Sequence, residues 1–210
     1  MNTFVRPLTS IAVELTNTDL TAKRKNLERI AKALPETAPI LSSSITVTAT
    51  EQSSWITGKH RLVGISALPA FIEKTLVEAA PTIYSPKETI EVVKLFFHSI
   101  GKEIEIVQDR IGMVLPRILC QVINEAAFAV TEDIASPKDI DTVLKLGVQF
   151  PLGPIEMAEK IGLKQVYAVL TALYADLHEE RYRISPLLKQ MAQTGEWWEP
   201  ASQDKQEAII

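Results

Sequence analysis

The sequence contains few of the residues that form cross-links, metal centres and phosphate-binding loops. Among its 210 residues the only cysteine is Cys120, so no disulfide can form within the chain. The three histidines lack metal-ligand spacing to one another or to the cysteine, and we expect no metal site. The eight glycines form neither a GxGxxG motif nor a P-loop. These absences exclude a disulfide scaffold and argue against a metalloenzyme.

A large excess of one charge and long apolar runs are also missing. The chain has 22 Lys and Arg against 26 Asp and Glu, and no basic stripe that would favour nucleic acid or an anionic membrane surface. No apolar run reaches the roughly 20 residues that span a bilayer. The opening MNTFVRPLTS lacks the pattern of a signal peptide. We therefore expect a cytoplasmic protein in which Cys120, set in an apolar run, is a buried small hydrophobe.

The first half of the chain alternates strand and helix patterns. Five short apolar segments predict strands, at residues 11–15, 39–41, 61–66, 75–80 and 103–107. Two amphipathic segments predict helices, at residues 19–34 and 85–101. Residues 16–18 could cap the first of these helices, and Ser85 with Glu88 forms a capping box for the second. This order of elements predicts an α/β sheet.

The second half of the chain, from Asp109 onwards, shows only helical patterns. Five helices are predicted, at residues 112–133, 136–146, 154–161, 164–180 and 186–193. In the second of them Ser136 is placed to cap the helix, and apolar residues at helical spacing, ending in Leu146, are expected to face the core. We therefore predict an α/β domain over residues 1–108, a helical domain over 109–195 and a tail over 196–210.

Two features of the α/β part could carry chemistry. Ser42, Ser43 and Ser44 follow a predicted strand, where they could form a polar ligand loop or simply cap the strand end. Glu78 falls inside an apolar strand, where a carboxylate needs either a partner or a function. A catalytic or ligand-binding role and a structural ion pair are equally compatible with that position.

The helical half resembles the 3-hydroxyacyl-CoA dehydrogenase family. The turn from Asp109 to Gly112 is similar to the family's D-x-P-G-F turn. Residues 124–126, 135–141 and 151–154 resemble its N-E-A, A-S-x-x-D-I-D and P-x-G-P signatures. The likeness extends back through Glu78, similar to the glutamate of the family's K-L-V-E-V strand, and covers roughly residues 11–195.

The resemblance implies a fold and a function. The fold is a partial Rossmann-like α/β sheet, without the first βαβ unit of the family, followed by an all-α dimerisation domain like the C-terminal domain of 6-phosphogluconate dehydrogenase. Family members are homodimers that use NAD to oxidise the 3-hydroxyl of an acyl-CoA. The resemblance places Lys23 near the nicotinamide ribose of NAD.

The catalytic positions implied by the resemblance differ in this sequence. Ser66 stands where the family has its catalytic histidine, whereas Glu78 keeps the glutamate that orients that histidine. Ser42, Ser43 and Ser44 lie in the segment similar to the family's S-N-T-S-S substrate loop. In that loop Ile45 replaces the catalytic serine, and further along the chain Pro116 replaces a substrate-holding asparagine.

These differences lead to three hypotheses. The first is a degenerate relative in fatty-acid metabolism, a pseudoenzyme with lost or impaired oxidoreductase activity and residual acyl-CoA binding. The second is a non-catalytic protein that uses the helical domain to bind itself or a true dehydrogenase. The third is an enzyme that borrows the nucleotide-binding half of a partner chain.

The sequence also leads to expectations about surfaces and stability. We expect the outer edge of the first strand to be covered by residues 1–7, a dimer mate or another protein. We further expect Leu146→Asp to abolish folding, while Glu78→Gln barely changes stability.

Overall fold

The computed structural model describes residues 11–71 and 74–195, and its α/β half contains one five-stranded sheet. The strands are β1 (Ala12–Glu14), β2 (Ile40–Ser43), β3 (Leu62–Ile65), β4 (Leu76–Pro81) and β5 (Glu103–Ile106), in that spatial order. Strands β1, β2 and β3 are parallel, β4 is antiparallel to β3, and β5 is parallel to β4. The sheet is therefore mixed, and the predicted order of strands and helices is confirmed.

Helices connect the strands and make up the second half of the chain. They are α1 (Leu20–Ala33), α2 (Ala49–Ser53), α3 (Lys87–Ser99), α4 (Leu115–Thr131), α5 (Pro137–Gly147), α6 (Pro154–Ile161), α7 (Leu163–Leu177) and α8 (Pro186–Thr194). An α/β part followed by an all-α part confirms the predicted fold class. In the described ranges, no helix combines the length and the apolar character needed to cross a membrane.

The residues that begin the helices agree only in part with the sequence patterns. Ser136 caps α5 as predicted, with its side chain accepting the N–H of Asp139. The cap of α1 is Asp19 rather than residues 16–18, because its carboxylate accepts the N–H of Ala22. The capping box predicted for α3 is wrong. Ser85 instead donates its hydroxyl to the carbonyl of Leu62, which anchors the β4–α3 turn to the start of β3.

The core covers both faces of the sheet and continues into the helices. On one face Leu41 and Val63 pack with α3, and on the other Ile40 and Leu62 pack with α1 and α2, as the alternation of side chains along a strand requires. The helical core contains Cys120, which is fully buried as predicted. Burial raises the pKa of the Cys120 thiol to about 12, so the residue stays a thiol and acts as a small hydrophobe.

Helix α5 does not bury the apolar residues that were expected to face the core. Leu146 is 79% exposed and Val143 is 63% exposed. Ile140 packs against the helical core, and Leu144, one turn further on the same side, is partly buried. The prediction that Leu146 occupies the centre of the helical domain is therefore wrong, because the apolar set on α5 is wider than the surface that α5 packs against.

The outer edge of β1 has no strand beside it among the described residues. Val13 on this strand and Leu15 directly after it are both about half exposed. The residues that were expected to cover the edge, 1–7, lie outside the described ranges, as does the predicted tail at 196–210.

Candidate functional site

A buried polar cluster lies at the carboxyl end of β1. The Lys23 ammonium, on the first turn of α1, is 2.5 Å from a carboxylate oxygen of Glu14 and also donates to the carbonyl of Thr16 at 2.9 Å. Ser42, at the neighbouring end of β2, donates its hydroxyl to the same carboxylate. Burial alone would raise the pKa of Glu14, but hydrogen bonds from Lys23 and Thr16 and the charge of Lys23 outweigh it and hold that pKa below its usual range.

The three consecutive serines at the carboxyl end of β2, Ser42, Ser43 and Ser44, are fully buried. Besides the contact of Ser42 with Glu14, Ser44 donates to the carbonyl of Ser42 and accepts the side-chain amide of Gln52 at 2.8 Å. The hydroxyl of Ser43 has no hydrogen-bond partner among the described residues. The contacts of Ser42 and Ser44 are those of a strand end tied to its neighbours, and the substrate-binding role of the three serines stays a prediction.

Ser66 and Glu78 lie next to each other in the sheet. The Ser66 N–H donates to the backbone carbonyl of Glu78 at 3.0 Å. The Glu78 carboxylate points to the start of α4, where one oxygen accepts the N–H of Val114 at 3.0 Å and the other that of Leu115 at 2.7 Å. Glu78 thus binds the positive end of a helix, and within the described ranges it forms no ion pair. Catalytic roles for Ser66 and Glu78 stay predictions.

Two further carboxylates bind helix starts in the same way, and the sequence patterns did not single them out for this role. Asp109 accepts the N–H groups of Ala49 and Thr50, both at 2.7 Å, at the start of α2. Asp141 on α5 accepts the first N–H groups of α6, at 2.8 and 3.1 Å. A methyl group on Gly153 would collide with the Asp141 carboxylate, so this glycine is required for the contact.

A cleft of about 740 Å³ lies between the carboxyl ends of β1 and β2 and the helices α7 and α8. Its sheet side is formed by Asn17 and Thr46, and its helical side includes Tyr167 and Ala172. Asn17 donates its side-chain amide to the carbonyl of Ala67 at 3.1 Å, and its backbone carbonyl accepts the Thr46 hydroxyl at 2.8 Å. The polar wall is therefore fixed in place, at the end of the sheet where ligands of α/β proteins bind.

The histidines and carboxylates do not assemble into a metal site in the part of the chain that the structure describes. His60, His98 and His178 are all exposed. Across residues 11–71 and 74–195 there is no group of three or more His, Cys, Asp or Glu side chains that could hold a metal ion.

Comparison with known proteins gives one consistent result. The family model for the 3-hydroxyacyl-CoA dehydrogenase C-terminal domain matches residues 112–204. A "Probable 3-hydroxybutyryl-CoA dehydrogenase" of Bacillus subtilis is 29% identical over 185 residues, which is 88% of this chain and 64% of that protein. The crystal structure of (S)-3-hydroxybutyryl-CoA dehydrogenase from Ralstonia eutropha superposes with a TM-score of 0.77 at 30% identity, covering 88% of this chain and 65% of that one. These findings support the 3-hydroxyacyl-CoA dehydrogenase family for this chain.

The chain spans less than two thirds of the length of these relatives. A 3-hydroxybutyryl-CoA dehydrogenase of Bradyrhizobium diazoefficiens shows the same relation, at 29% identity over 82% of this chain and 59% of that protein. The resemblance predicted from the sequence motifs is confirmed.

The signatures of the 3-hydroxyacyl-CoA dehydrogenase family coincide with the carboxylates that bind helix starts. Glu78 belongs to the segment similar to K-L-V-E-V, Asp109 opens the D-x-P-G-like turn, and Asp141 ends the A-S-x-x-D-I-D-like segment. Gly153, which makes room for Asp141, is the glycine of the P-x-G-P-like turn. In this chain these signature residues therefore join elements that are distant in the sequence.

Proposed function

We propose that this 3-hydroxyacyl-CoA dehydrogenase relative binds an acyl-CoA and does not carry out hydride transfer. The observation that carries the proposal is the pair Ser66 and Glu78. Ser66 occupies the position of the family's histidine, and both oxygens of Glu78 accept backbone N–H groups of α4. A serine hydroxyl with no base beside it is a poor proton acceptor near neutral pH. Loss of a general base alone removes a rate factor of about 10² to 10⁴.

The positions that would hold the substrate oxygen support the same proposal. Ile45, at the position of the family's catalytic serine, is fully buried in the helical core. Pro116, at the position of the asparagine, is buried in the first turn of α4. Neither side chain offers a hydrogen-bond donor, so the electrostatic stabilisation of a developing charge would also be missing.

The nicotinamide cofactor is implied by the family, whose members are NAD-dependent dehydrogenases. The one residue that the resemblance assigns to it, Lys23, fits poorly as a cofactor contact. Its ammonium is fully buried and hydrogen-bonded to Glu14 and Thr16, so contact with a ribose would require breaking a buried ion pair. This supports acyl-CoA binding that does not depend on NAD.

The acyl-CoA would occupy the cleft between the sheet and α7. The volume of about 740 Å³ lies within the range of small-molecule sites, roughly 300 to 1,000 Å³. Calorimetric titration with acetoacetyl-CoA, with and without NAD, tests the proposal. We expect saturable binding that NAD leaves unchanged, and no consumption of NADH when acetoacetyl-CoA and NADH are mixed with the protein.

Matched variants locate the binding site. Ala175→Trp places an indole on α7 at the cleft and should weaken binding, whereas Ala33→Trp on the exposed side of α1 should not. Affinity that rises with NAD would contradict the proposal, because reciprocal coupling requires both ligands to bind. Turnover of NADH would also contradict it.

A second candidate function is self-association without catalysis. The exposed apolar residues on and beside α5 favour this function. Ile134, Val143, Leu146 and Val148 are each more than half exposed and lie on or beside this helix. Exposed apolar side chains gathered at one helix are typical of a protein interface. Because relatives typically act as homodimers, we propose that a second copy of this chain covers this α5 surface.

The domain division and location belong to the same proposal. We propose an α/β domain over residues 1–108, a helical domain over 109–195 and a tail over 196–210, in a cytoplasmic protein. Limited proteolysis tests the division. The junction near Asp109 should resist early cleavage because Asp109 is bonded to α2.

A further inference from the structure

The cleft between the sheet and α7, which we call the α7 cleft, also borders the end of helix α8. Ala192 and Gln193, in the last turn of α8, belong to its walls. Gly195 follows this turn in the left-handed conformation, with a φ of 84°, and its N–H donates to the carbonyl of Met191 at 2.8 Å. A glycine in this conformation ends a helix and redirects the chain. The chain therefore leaves α8 at the rim of the α7 cleft.

The wall that α7 contributes to the α7 cleft carries short apolar side chains. Ala168, Ala172 and Ala175 follow one another at about one helical turn, so they lie on the same side of the helix. Larger apolar residues, Leu20 and Ile111, line the cleft as well, and Leu20 is 44% exposed. Among the described residues no side chain fills this recess of about 740 Å³. The recess therefore offers apolar surface on which large side chains could be buried.

The sequence directly after Gly195 supplies two such side chains, Trp197 and Trp198. Trp197 is four residues from Gln193 on the cleft wall, and four extended residues span at most about 14 Å. A tryptophan side chain buries about 150 to 250 Å² when it is covered. A short tether also gives a segment an effective concentration of about millimolar, so that weak contacts are enough to hold it. Both indoles are therefore within reach of the α7 cleft and gain from entering it.

We propose that Trp197 and Trp198 occupy the α7 cleft of their own chain and compete there with the acyl-CoA. The inference rests on the proposed function, because it concerns the regulation of the same cleft. The indoles would pack against Ala172 and Ala175, where they lose contact with water. The acyl-CoA would then bind only to the molecules in which the tail has left the cleft.

The charges at the α7 cleft bear on how the tail enters it. Glu51, Lys164 and Asp176 line the cleft and are exposed. Lys164 takes part in none of the ion pairs of the described residues. Glu196, directly before Trp197, would stay at the mouth and pair with Lys164. An exposed pair of this kind contributes little, so burial of the indoles has to supply most of the affinity.

Fluorescence tests the position of the indoles without any ligand. The chain has three tryptophans, and Trp55→Phe leaves Trp197 and Trp198 as the only indoles. Their emission should lie at shorter wavelength in the folded protein than in urea, and acrylamide should quench it less. Added to this background, Ala175→Glu places a charge at the cleft and should reverse both effects, whereas Ala33→Glu on the exposed side of α1 should reverse neither. Equal quenching of the folded and the unfolded protein would overturn the proposal, and so would emission that Ala175→Glu leaves unchanged.

Calorimetric titration with acetoacetyl-CoA tests the competition. Trp197→Ser combined with Trp198→Ser removes both indoles, and far-UV circular dichroism shows whether this double variant is folded. If the tail fills the cleft in about nine molecules of ten, its loss tightens the apparent affinity about tenfold. Ile209→Ser combined with Ile210→Ser removes apolar side chains further along the tail and should leave the affinity unchanged. Unchanged affinity in the double tryptophan variant would overturn the proposal.

The two experiments separate this inference from the proposed function. If neither the wild type nor the double tryptophan variant binds acetoacetyl-CoA, the proposed function and the competition both fail, while fluorescence still decides whether the indoles lie in the α7 cleft. If the wild type binds acetoacetyl-CoA and its indoles are as exposed as in urea, the proposed function stands and this inference fails. Emission of the Trp55→Phe variant that depends on protein concentration would place the tail of a second copy in the cleft and overturn the contact within one chain.

Discussion

At the scale of single residues, three acidic side chains make the same kind of contact with the start of a helix. Glu78, Asp109 and Asp141 each accept two neighbouring backbone N–H groups at the start of a helix. Those N–H groups have no partner within their own helix, and a carboxylate both accepts their hydrogens and complements the positive end of the helix. In Glu78 this contact fixes the first turn of α4 against β4.

Glu78→Gln tests the contact most directly. A glutamine side chain offers one acceptor oxygen and directs an NH₂ group at the second N–H, so one of the two part-buried donors loses its acceptor. We expect the free energy of unfolding to fall by about 1–3 kcal/mol in urea titrations. This reverses the expectation formed from the sequence.

The matched control for this variant is Glu105→Gln. Glu105 is the neighbour of Glu78 in the pairing of β4 with β5, and it is exposed. Its replacement should change stability by less than about 0.5 kcal/mol. Equal effects of the two substitutions would show that the helix contact of Glu78 contributes nothing specific.

The buried pair of Glu14 and Lys23 predicts a dependence of stability on pH. The pKa of Glu14 in the folded protein lies below its usual range, and the unfolded value for a glutamate is about 4.3. The stabilisation from this carboxylate is therefore fully present above the unfolded pKa and is lost as pH falls through the folded pKa. The urea concentration at the unfolding midpoint, measured from pH 6 downwards, should decrease as pH falls below the unfolded pKa of the glutamate.

A double variant separates this contribution from general acid denaturation. Glu14→Gln combined with Lys23→Met removes both charges, and its urea midpoint should fall less steeply with pH than that of the wild type. Glu28→Gln, which removes a surface ion pair with Arg24, should keep the wild-type slope. If the double variant also keeps that slope, the low pKa of Glu14 is not a source of stability.

At the scale of elements, α5 and α6 are joined by a contact that depends on a glycine. Gly153 lies against the Asp141 carboxylate, and a methyl group at residue 153 would collide with it. We expect Gly153→Ala to displace the carboxylate from the start of α6 and to destabilise the protein by about 2 kcal/mol or more. The measurement is the urea unfolding midpoint.

Gly147→Ala is the control within the same pair of helices. Gly147 is the last residue of α5 and has open space where its Cβ would lie. Alanine should stabilise the helix there by up to about 1 kcal/mol. If both substitutions destabilise the protein, the effect of Gly153→Ala cannot be assigned to the Asp141 carboxylate.

At the scale of the whole molecule, the exposed apolar residues of α5 bear on whether the chain is a monomer or a dimer. Leu146 is 79% exposed, so in an isolated chain Leu146→Asp should change the free energy of unfolding by less than about 0.5 kcal/mol. In a dimer covered at this surface the same substitution places a charge in the interface. We expect it to weaken self-association by at least about 30-fold.

Light scattering over a range of protein concentrations measures this effect. The wild type should show the mass of a dimer and Leu146→Asp that of a monomer, with unchanged far-UV circular dichroism. Leu95→Asp, on an exposed part of α3, should remain dimeric. A wild-type monomer at all concentrations would contradict the proposed homodimer, whereas loss of circular dichroism in Leu146→Asp would restore the expectation that this residue is essential for folding.

The sequence by itself determined the order of strands and helices, the burial of Cys120 and the family. These features follow from patterns that are read over a few residues, such as the alternation of apolar side chains or the cap that Ser136 forms with the N–H of Asp139, three positions further on. The motifs that identified the family are also local, because each signature lies within a short stretch of a strand, a helix or a turn.

Tertiary structure alone decided what the acidic signature residues contact and which apolar residues are covered. The Glu78 carboxylate meets N–H groups 36 and 37 positions away, and Asp109 meets groups 60 and 59 positions away. Leu146 has the same helical spacing as buried residues elsewhere, yet it is 79% exposed because none of the described residues covers its side of α5. Such contacts depend on which elements meet in space, and a pattern within one segment carries no information about the surface opposite it.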